Sequence, residues 1–286
     1  MVLGITVSDV ELRKISAIQK AIFKKAEELL VGKNAVPIQR IKSLDIRLAI
    51  PKAQYIEAKK AAEGATVDAE SIEWFHANFS MEKYQCRVRV TDEAIARNSL
   101  ANQLRLSIDA AAKGLQLAKD KEIFETLLAG AGQTVAAATA WNETGATPED
   151  DISKAIQAIT ENTVITDADL KNLMLFVPAG LMGYLKKRVE IENMHVSLER
   201  LLQDEFGVRI FYTRQLTTDA LLLIKSNETA IHFEYNGTDI KTTEQVRIPG
   251  VGTDYLITQY FKTVVIPDDE TTPTSSRICK ITGVKA

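Results

Sequence analysis

From Thr91 to Ala129 the chain carries one long helical stripe, formed by Ile95, Leu100, Leu104, Ile108, Ala111, Leu115, Ala118, Phe124, Leu127 and Leu128, with an adjustment of phase near Asp120. Recurrence every three to four residues places these side chains on one face. Thr91 supplies a capping hydroxyl, and Asp92 and Glu93 put acids where the helix dipole favours them. Roughly forty residues at the usual rise make a rod of about 60 Å, far longer than an ordinary globular helix. The pattern dissolves in the small residues Gly130, Ala131 and Gly132, so the other parts of the chain must be hung on the rod.

Upstream, Val10, Ile15, Ile18, Ile22, Ala26, Leu29 and Leu30 follow a Ser8/Asp9 cap near helical spacing, and Gly32 and Asn34 end the pattern. This predicts an amphipathic arm whose apolar face needs a partner. Next, Leu44, Ile46, Leu48 and Ile50 alternate with Asp45, Arg47 and Ala49, and Tyr84, Cys86, Val88 and Val90 alternate with Gln85, Arg87 and Arg89. Period two predicts two strands. Between them lies a polar, alanine-rich stretch holding Lys52, Lys59, Lys60, Glu63, Gly64 and Asp68, which suits an extended two-stranded excursion. A hairpin of that length is marginal alone and must lie on something.

Downstream, Thr147-Pro148-Glu149-Asp150 caps a second helix. Leu173 to Val177 then reads as a buried strand, a further helix runs through Lys186-Lys187-Arg188, and Val208 to Tyr212 and Ala220 to Ile224 read as strands. Strand and helix alternate across this region, predicting a compact α/β unit. After Thr229 the helical period vanishes; Asn236-Gly237 marks a hairpin turn, and DYLITQYFKTVVIP and RICKITGV read as strands. These last sixty or so residues are expected to pack on the long helix.

Chemistry is scarce. The formal net charge of -3 argues against a protein that grips nucleic acid through phosphates. Cys86 and Cys279 are too few for a disulfide framework or zinc cluster. Phosphate-loop, dinucleotide, nucleophile-elbow and zinc-protease motifs are all missing from the text of the chain. His195 and Glu199 stand four apart on an expected helix, but two ligands without a third make an exposed polar pair rather than a metal site. The acids Glu149, Asp150 and Asp151, and likewise Asp268, Asp269 and Glu270, read as cap and loop residues. Trp74, Phe75 and Phe79 fit either sheet packing or contact with a neighbouring subunit. No cofactor, metal or catalytic residue is expected, and neither the N-terminus nor any apolar run looks like a signal peptide or membrane span.

Arm, long hairpin, very long helix, α/β unit and β-rich return form an order that resembles the major capsid protein of tailed bacteriophages and related viruses, the Hong Kong 97 fold. The stretch LAKDKEIFETLLAGAGQTVAAATAWNETGATPEDDISKAIQAI, Leu117 to Ile159, is similar to coat sequences at the junction of the spine helix with the axial domain. The resemblance implies an α+β capsid fold: N-terminal arm, 1–40; extended E-loop hairpin, 41–90; spine helix of the peripheral P-domain, 91–132; α/β axial A-domain, 133–228; and P-domain strands over 229–286, with partial return through the A-domain allowed.

It further implies an icosahedral shell of hexamers and pentamers around double-stranded DNA, residence in the virion after synthesis in the host cytoplasm, and a portal complex as partner. Only about thirty residues precede the hairpin, so scaffolding is expected as a separate protein; no asparagine and glutamate can be matched to a hairpin lysine, so the shell is expected to be non-covalent. Inter-subunit contact candidates are Arg47, Lys52, Lys59, Lys60, Trp74, Phe75 and Phe79 on the hairpin, and Ile18 and Ile22 on the arm. Rival readings are an encapsulin-type nanocompartment and, from another class, a small-oligomer enzyme with an α/β active site.

Overall fold

The computed structural model describes residues 30–52, 71–91, 93, 100–163, 166–186, 188–191, 194–236 and 243–286. Its spine is α1 (Leu100–Ala129), a helix of 30 residues. Ala111, Ala112, Leu115, Ile123, Phe124 and Leu127 form its buried face, and Gln116, Lys119, Asp120 and Glu122 are buried with them. The break of phase expected near Asp120 is therefore where polar side chains turn inward. The small residues that end the helix are there for close approach. A Cβ on Gly130 would lie 2.6 Å from Val265 Cγ2, and one on Gly132 would lie 2.6 Å from the Ser275 carbonyl.

Directly after the helix, β5 (Ala131–Ala136) enters a five-stranded sheet with β14 (Ser275–Thr282), β10 (Ala220–Ile224), β6 (Leu173–Pro178) and β9 (Arg209–Thr213), in that spatial order. The β5–β14 and β6–β9 pairs are parallel, while β10 runs antiparallel to both its neighbours. The central strands are continuous apolar runs because both faces of the sheet are covered. Leu173, Leu175, Val177, Leu222, Cys279 and Ile281 pack on one side with Ile152, Ala155 and Ile159 of α2 (Pro148–Asn162). Met174, Phe176, Leu221, Leu223 and Ile278 face the other way, onto Ile123, Phe124 and Leu127 of the spine. Pro148 in the first turn of α2 and three acids behind it suit a helix start. Asp151 is fully buried there and accepts hydrogen bonds from Trp141 Nε1 at 3.0 Å and Ala138 N at 3.3 Å, so it is a structural acid and not merely a cap.

A second sheet is organised by the 14-residue β13 (Gly252–Val265). One edge pairs along 252–261 with β4 (Glu82–Thr91); the other pairs first with β12 (Thr243–Ile248) and then with β11 (Ala230–Tyr235), beside which β1 (Ile38–Ile41) runs parallel. Two-residue periodicity splits this sheet into two faces. Phe261, Thr263, His232 and Glu234 lie toward α1, whereas Ile231, Phe233 and Val264 face away and pack with Ile46 and Met81.

Four expectations change. The alternating patterns at 44–50 and 84–90 do not pair with each other: β2 (Asp45–Pro51) pairs with β3 (Trp74–Ser80), and β4 pairs with β13. Met81 is the break, its N–H donating to Leu44 O at 2.9 Å before the chain crosses into the larger sheet. The β-rich end is not one unit: β11 to β13 belong to the second sheet and β14 to the α/β sheet, although Ile278 of β14 also packs on the spine. Neither Lys186 nor Arg188 of the run Lys186-Lys187-Arg188 is on a helix: α3 (Met182–Leu185) ends before Lys186, Lys187 lies outside the described residues, and Arg188 opens β7 (Arg188–Ile191). His195 sits in β8 (Met194–Ser197), paired with β7, while Glu199 is in the first turn of α4 (Leu198–Phe206), so they do not share a helix face.

Candidate functional site

Among the described residues, the β2–β3 hairpin is anchored at its root and again toward its far end, where Ile50 and its partner Phe75 are buried. Ile46 is buried against Met81, Ile231, Phe233 and Val264, with Leu44, Leu48 and Phe79 packed around them. Of the predicted contact residues, Phe75 is buried and Phe79 half-buried, so both are engaged within the chain. Trp74, beside Phe75, is 56% exposed. Arg47 is exposed on β2 opposite Asn78. Lys52 bridges two acids, with Nζ 3.2 Å from Glu73 Oε2 and 3.7 Å from Glu270 Oε2, and the Glu73 hydrogen bond leads the effects that raise its pKa. Lys59, Lys60, Ile18, Ile22 and the Asn236-Gly237 turn fall, wholly or in part, outside the described residues.

Three residues that the sequence reading did not single out form a cluster on the second sheet. Arg87 and Arg89 stand two apart on β4 and therefore on one face, and Asp254 of β13 is paired with Arg89. Asp254 Oδ2 accepts from Arg87 Nε at 2.6 Å and also from Arg87 Nη2; Arg89 Nε reaches Oδ1 at 2.7 Å and Arg89 Nη2 reaches Oδ2 at 3.1 Å. The Asp254 side chain has no exposed surface, and the Arg89 hydrogen bonds, with those from Arg87, pull its pKa down to about 2. Alternation in CRVRV signalled that the arginines share a face. Nothing local signalled an aspartate 165 residues away along the chain.

Between α1 and this sheet lies a buried polar clamp. Glu122 accepts from Thr263 N at 2.7 Å and from the Thr263 hydroxyl, and Thr263 Oγ1 lies 2.9 Å from His232 Nδ1. With the hydroxyl proton given to Glu122, the His232–Thr263 bond needs the proton on Nδ1. Nε2 is then a bare acceptor, 4.0 Å from Glu234 Oε1, which Lys119 Nζ holds at 2.7 Å; Arg40 Nε holds Oε2 at 3.3 Å. Desolvation pushes the His232 pKa down to about 4 and raises that of Glu122. Asp120 accepts from Gly32 N at 2.6 Å, tying the start of the described chain to the middle of the spine.

A cleft of about 580 Å³ opens beside the far end of the paired β2–β3 strands, lined by Ile50, Pro51, Asp169, Glu228, Asp268 and Arg277 among others. Its acids are committed: Asp169 accepts from Thr166 N at 3.0 Å, Glu228 pairs with Arg277 Nη2 at 2.6 Å, and Asp268 accepts from Ser276 N. Burial works to raise the pKa of Asp169, but its hydrogen bonds from Thr166 outweigh that and hold it below the ordinary carboxylate value. Among the described residues, no group of three or more His, Cys, Asp or Glu is placed to hold a metal, and no helix is long and apolar enough to cross a membrane.

Comparison with known proteins bears on what such surfaces serve. The family model described as phage capsid protein matches residues 77–270. No curated protein matches the chain in sequence. Among solved structures, a virus-like particle from Pyrococcus furiosus superposes with a TM-score of 0.62 at 13% identity, over 93% of this chain and 98% of that one. A structure from Mycobacterium phage Che8 gives 0.55 at 15% identity, over 86% of each chain. An encapsulin complex from Synechococcus elongatus PCC 7942 gives 0.56 at 12% identity, over 87% of this chain and 85% of that one.

Proposed function

The chain belongs to the phage capsid protein family, with the Hong Kong 97-type fold of a viral shell subunit, and on that premise we propose that its copies form the hexamers and pentamers of an icosahedral shell enclosing double-stranded viral DNA. As a capsid protein it resides in the virion, and its role is structural rather than catalytic. The observation that carries the assembly reading is the hairpin: two strands whose root is buried in the chain's own core, while Trp74 stands 56% exposed beyond it. A two-stranded ribbon gains little by itself, so burial on an adjacent subunit completes it. A portal complex and a separately encoded scaffolding protein are its proposed partners, and the mild net charge of -3 suits a container that does not grip its contents.

A cellular nanocompartment is the second reading, favoured by the encapsulin among the similar folds. Expression of the chain alone, followed by negative-stain microscopy and light scattering, tests the first. Uniform shells, or rings of five or six, are expected; a monomer or dimer at high concentration would overturn it. Nucleic acid inside shells made with scaffold, portal and packaging proteins supports the virus, whereas selective uptake of a cargo enzyme supports the compartment.

A further inference from the structure

One flank of the spine carries an apolar stripe that faces water. Leu106 and Leu117 are 69% and 60% exposed, and Ala110 and Gly114 between them are exposed as well. Steps of four, four and three residues put these positions on one side of α1. The two leucines bound a shallow stretch, since a Cβ on Gly114 would meet nothing within 4 Å. Lys113, on the border of the stripe, is drawn aside to Asp109 Oδ2 at 2.6 Å.

The chain reaches this flank from a fixed point. Val31 has helical backbone angles (φ -77°, ψ -36°) and leads into the 3-10 turn Gly32–Asn34. Gly32 N donates to Asp120 Oδ1 at 2.6 Å, and a Cβ on Gly32 would lie 2.9 Å from Ile123 Cδ1, so the turn is seated against the spine. Residues 1–29 lie outside the described residues, and their sequence supplies the complement of the stripe. Gly32 and Asp120 are 88 positions apart in the chain. Carried back along two parallel helices of equal rise, that offset sets Leu29 beside Leu117, Ala26 beside Gly114, Ile22 beside Ala110 and Ile18 beside Leu106. The arm's apolar positions step by three, four and four, as the stripe does in the same direction.

We infer that residues 18–29 lie as a helix along the Leu106–Leu117 flank of the same chain's spine, parallel to it and in that 88-residue register. The four matched pairs make a two-helix seam in which side chains of one helix enter the gaps of the other. Ile18 and Leu29 cover the exposed leucines, while Ala110 and Gly114 leave room for Ile22 and Ala26 and let the two backbones come close. A helix this short is marginal in water unless such a face receives it. The tether at Gly32 makes the encounter intramolecular, which favours a chain's own arm over that of a second copy. Ile18 and Ile22 are then covered within the subunit, whether or not copies assemble.

Cysteine pairs in the full chain read the register directly. Ile18→Cys with Leu106→Cys, and in a second variant Ile22→Cys with Ala110→Cys, should each close a disulfide within one chain under mild oxidation. The product runs as a monomer on a non-reducing denaturing gel, and mass spectrometry of the linked peptides separates it from any bridge to native Cys86 or Cys279. Lys20→Cys with Leu106→Cys turns the arm cysteine about 200° round its helix and should not close. Leu117→Asp changes an exposed side chain outside the apolar clusters. It should speed amide hydrogen exchange over residues 18–29 by about tenfold, while the amides of α2 keep their protection. Absence of a bridge in both matched pairs, bridges formed mainly between chains, equal closure of matched and out-of-phase pairs, or arm exchange unchanged by Leu117→Asp would each overturn the docking.

Discussion

His232 is fully buried with its Nδ1 committed to Thr263, and the groups facing it are Glu122 and Lys119 of the spine, Glu234 of its own strand, and Thr263. Burial pushes its pKa down to about 4, whereas an unfolded histidine titrates near 6.5. The fold therefore favours the neutral ring. Its contribution is complete above pH 6.5 and is lost as the pH falls from 6.5 toward 4, where the unfolded chain takes up the proton first, to a total of about 3 kcal/mol. Glu122, raised by burial, works in the opposite sense as acid protonates it, so the comparison has to be made between variants. Denaturant unfolding of His232→Gln against the parent should show the stability difference shrinking by about 3 kcal/mol as the pH drops across that window; a constant difference would mean the imidazole is not held neutral. Trp141 and Asp151 give a second case. The indole N–H is one of two donors on a fully buried carboxylate. Trp141→Phe keeps most of the ring and should cost about 1–3 kcal/mol in chemical denaturation; a smaller effect would show the acid finding another donor.

At the scale of elements, the sequence showed which residues form helices and strands better than which strands meet. Apolar spacing revealed the spine, α2 and the continuous runs of β6 and β10 because burial on one stripe or on both faces writes itself into local order. Strand partners do not: Tyr84, Cys86 and Val88 announce a face, yet only tertiary packing gives β4 to β13 and β3 to β2. The break after the spine was legible as small residues but not as geometry. Gly132 is small because β5 runs parallel to β14, and a Cβ there would meet the Ser275 backbone at 2.6 Å. Backbone on both sides cannot step aside as a side-chain tip can. Gly132→Ala should therefore destabilise by about 1–3 kcal/mol, read as a lowered melting temperature. An unchanged melt would mean that β5 is not held against β14.

For the molecule as a whole, the question is which parts need a neighbour. Among the described residues, two large apolar clusters close around the α/β sheet and the end of the spine, and a smaller one closes over the hairpin root. Residues 53–70 lie outside the described residues, between β2 and β3 in the sequence. The ribbon is already bridged at that point, with Lys52 N donating to Glu73 O at 2.8 Å. Replacing 53–70 by a short glycine-rich turn should leave circular dichroism and the melting temperature close to those of the parent, because the three clusters above keep every one of their named residues. Assembly should be lost, since the reach of one copy onto the next is shortened. Light scattering and negative-stain images would then show only small species where the parent gives particles. If the shortened chain unfolds, residues 53–70 belong to the subunit core; if it still closes into shells, the hairpin is an ornament and the holding contacts lie elsewhere on the sheet. Intact folding with lost assembly is the outcome that separates a protein stable by its own cores from one whose function is its interfaces.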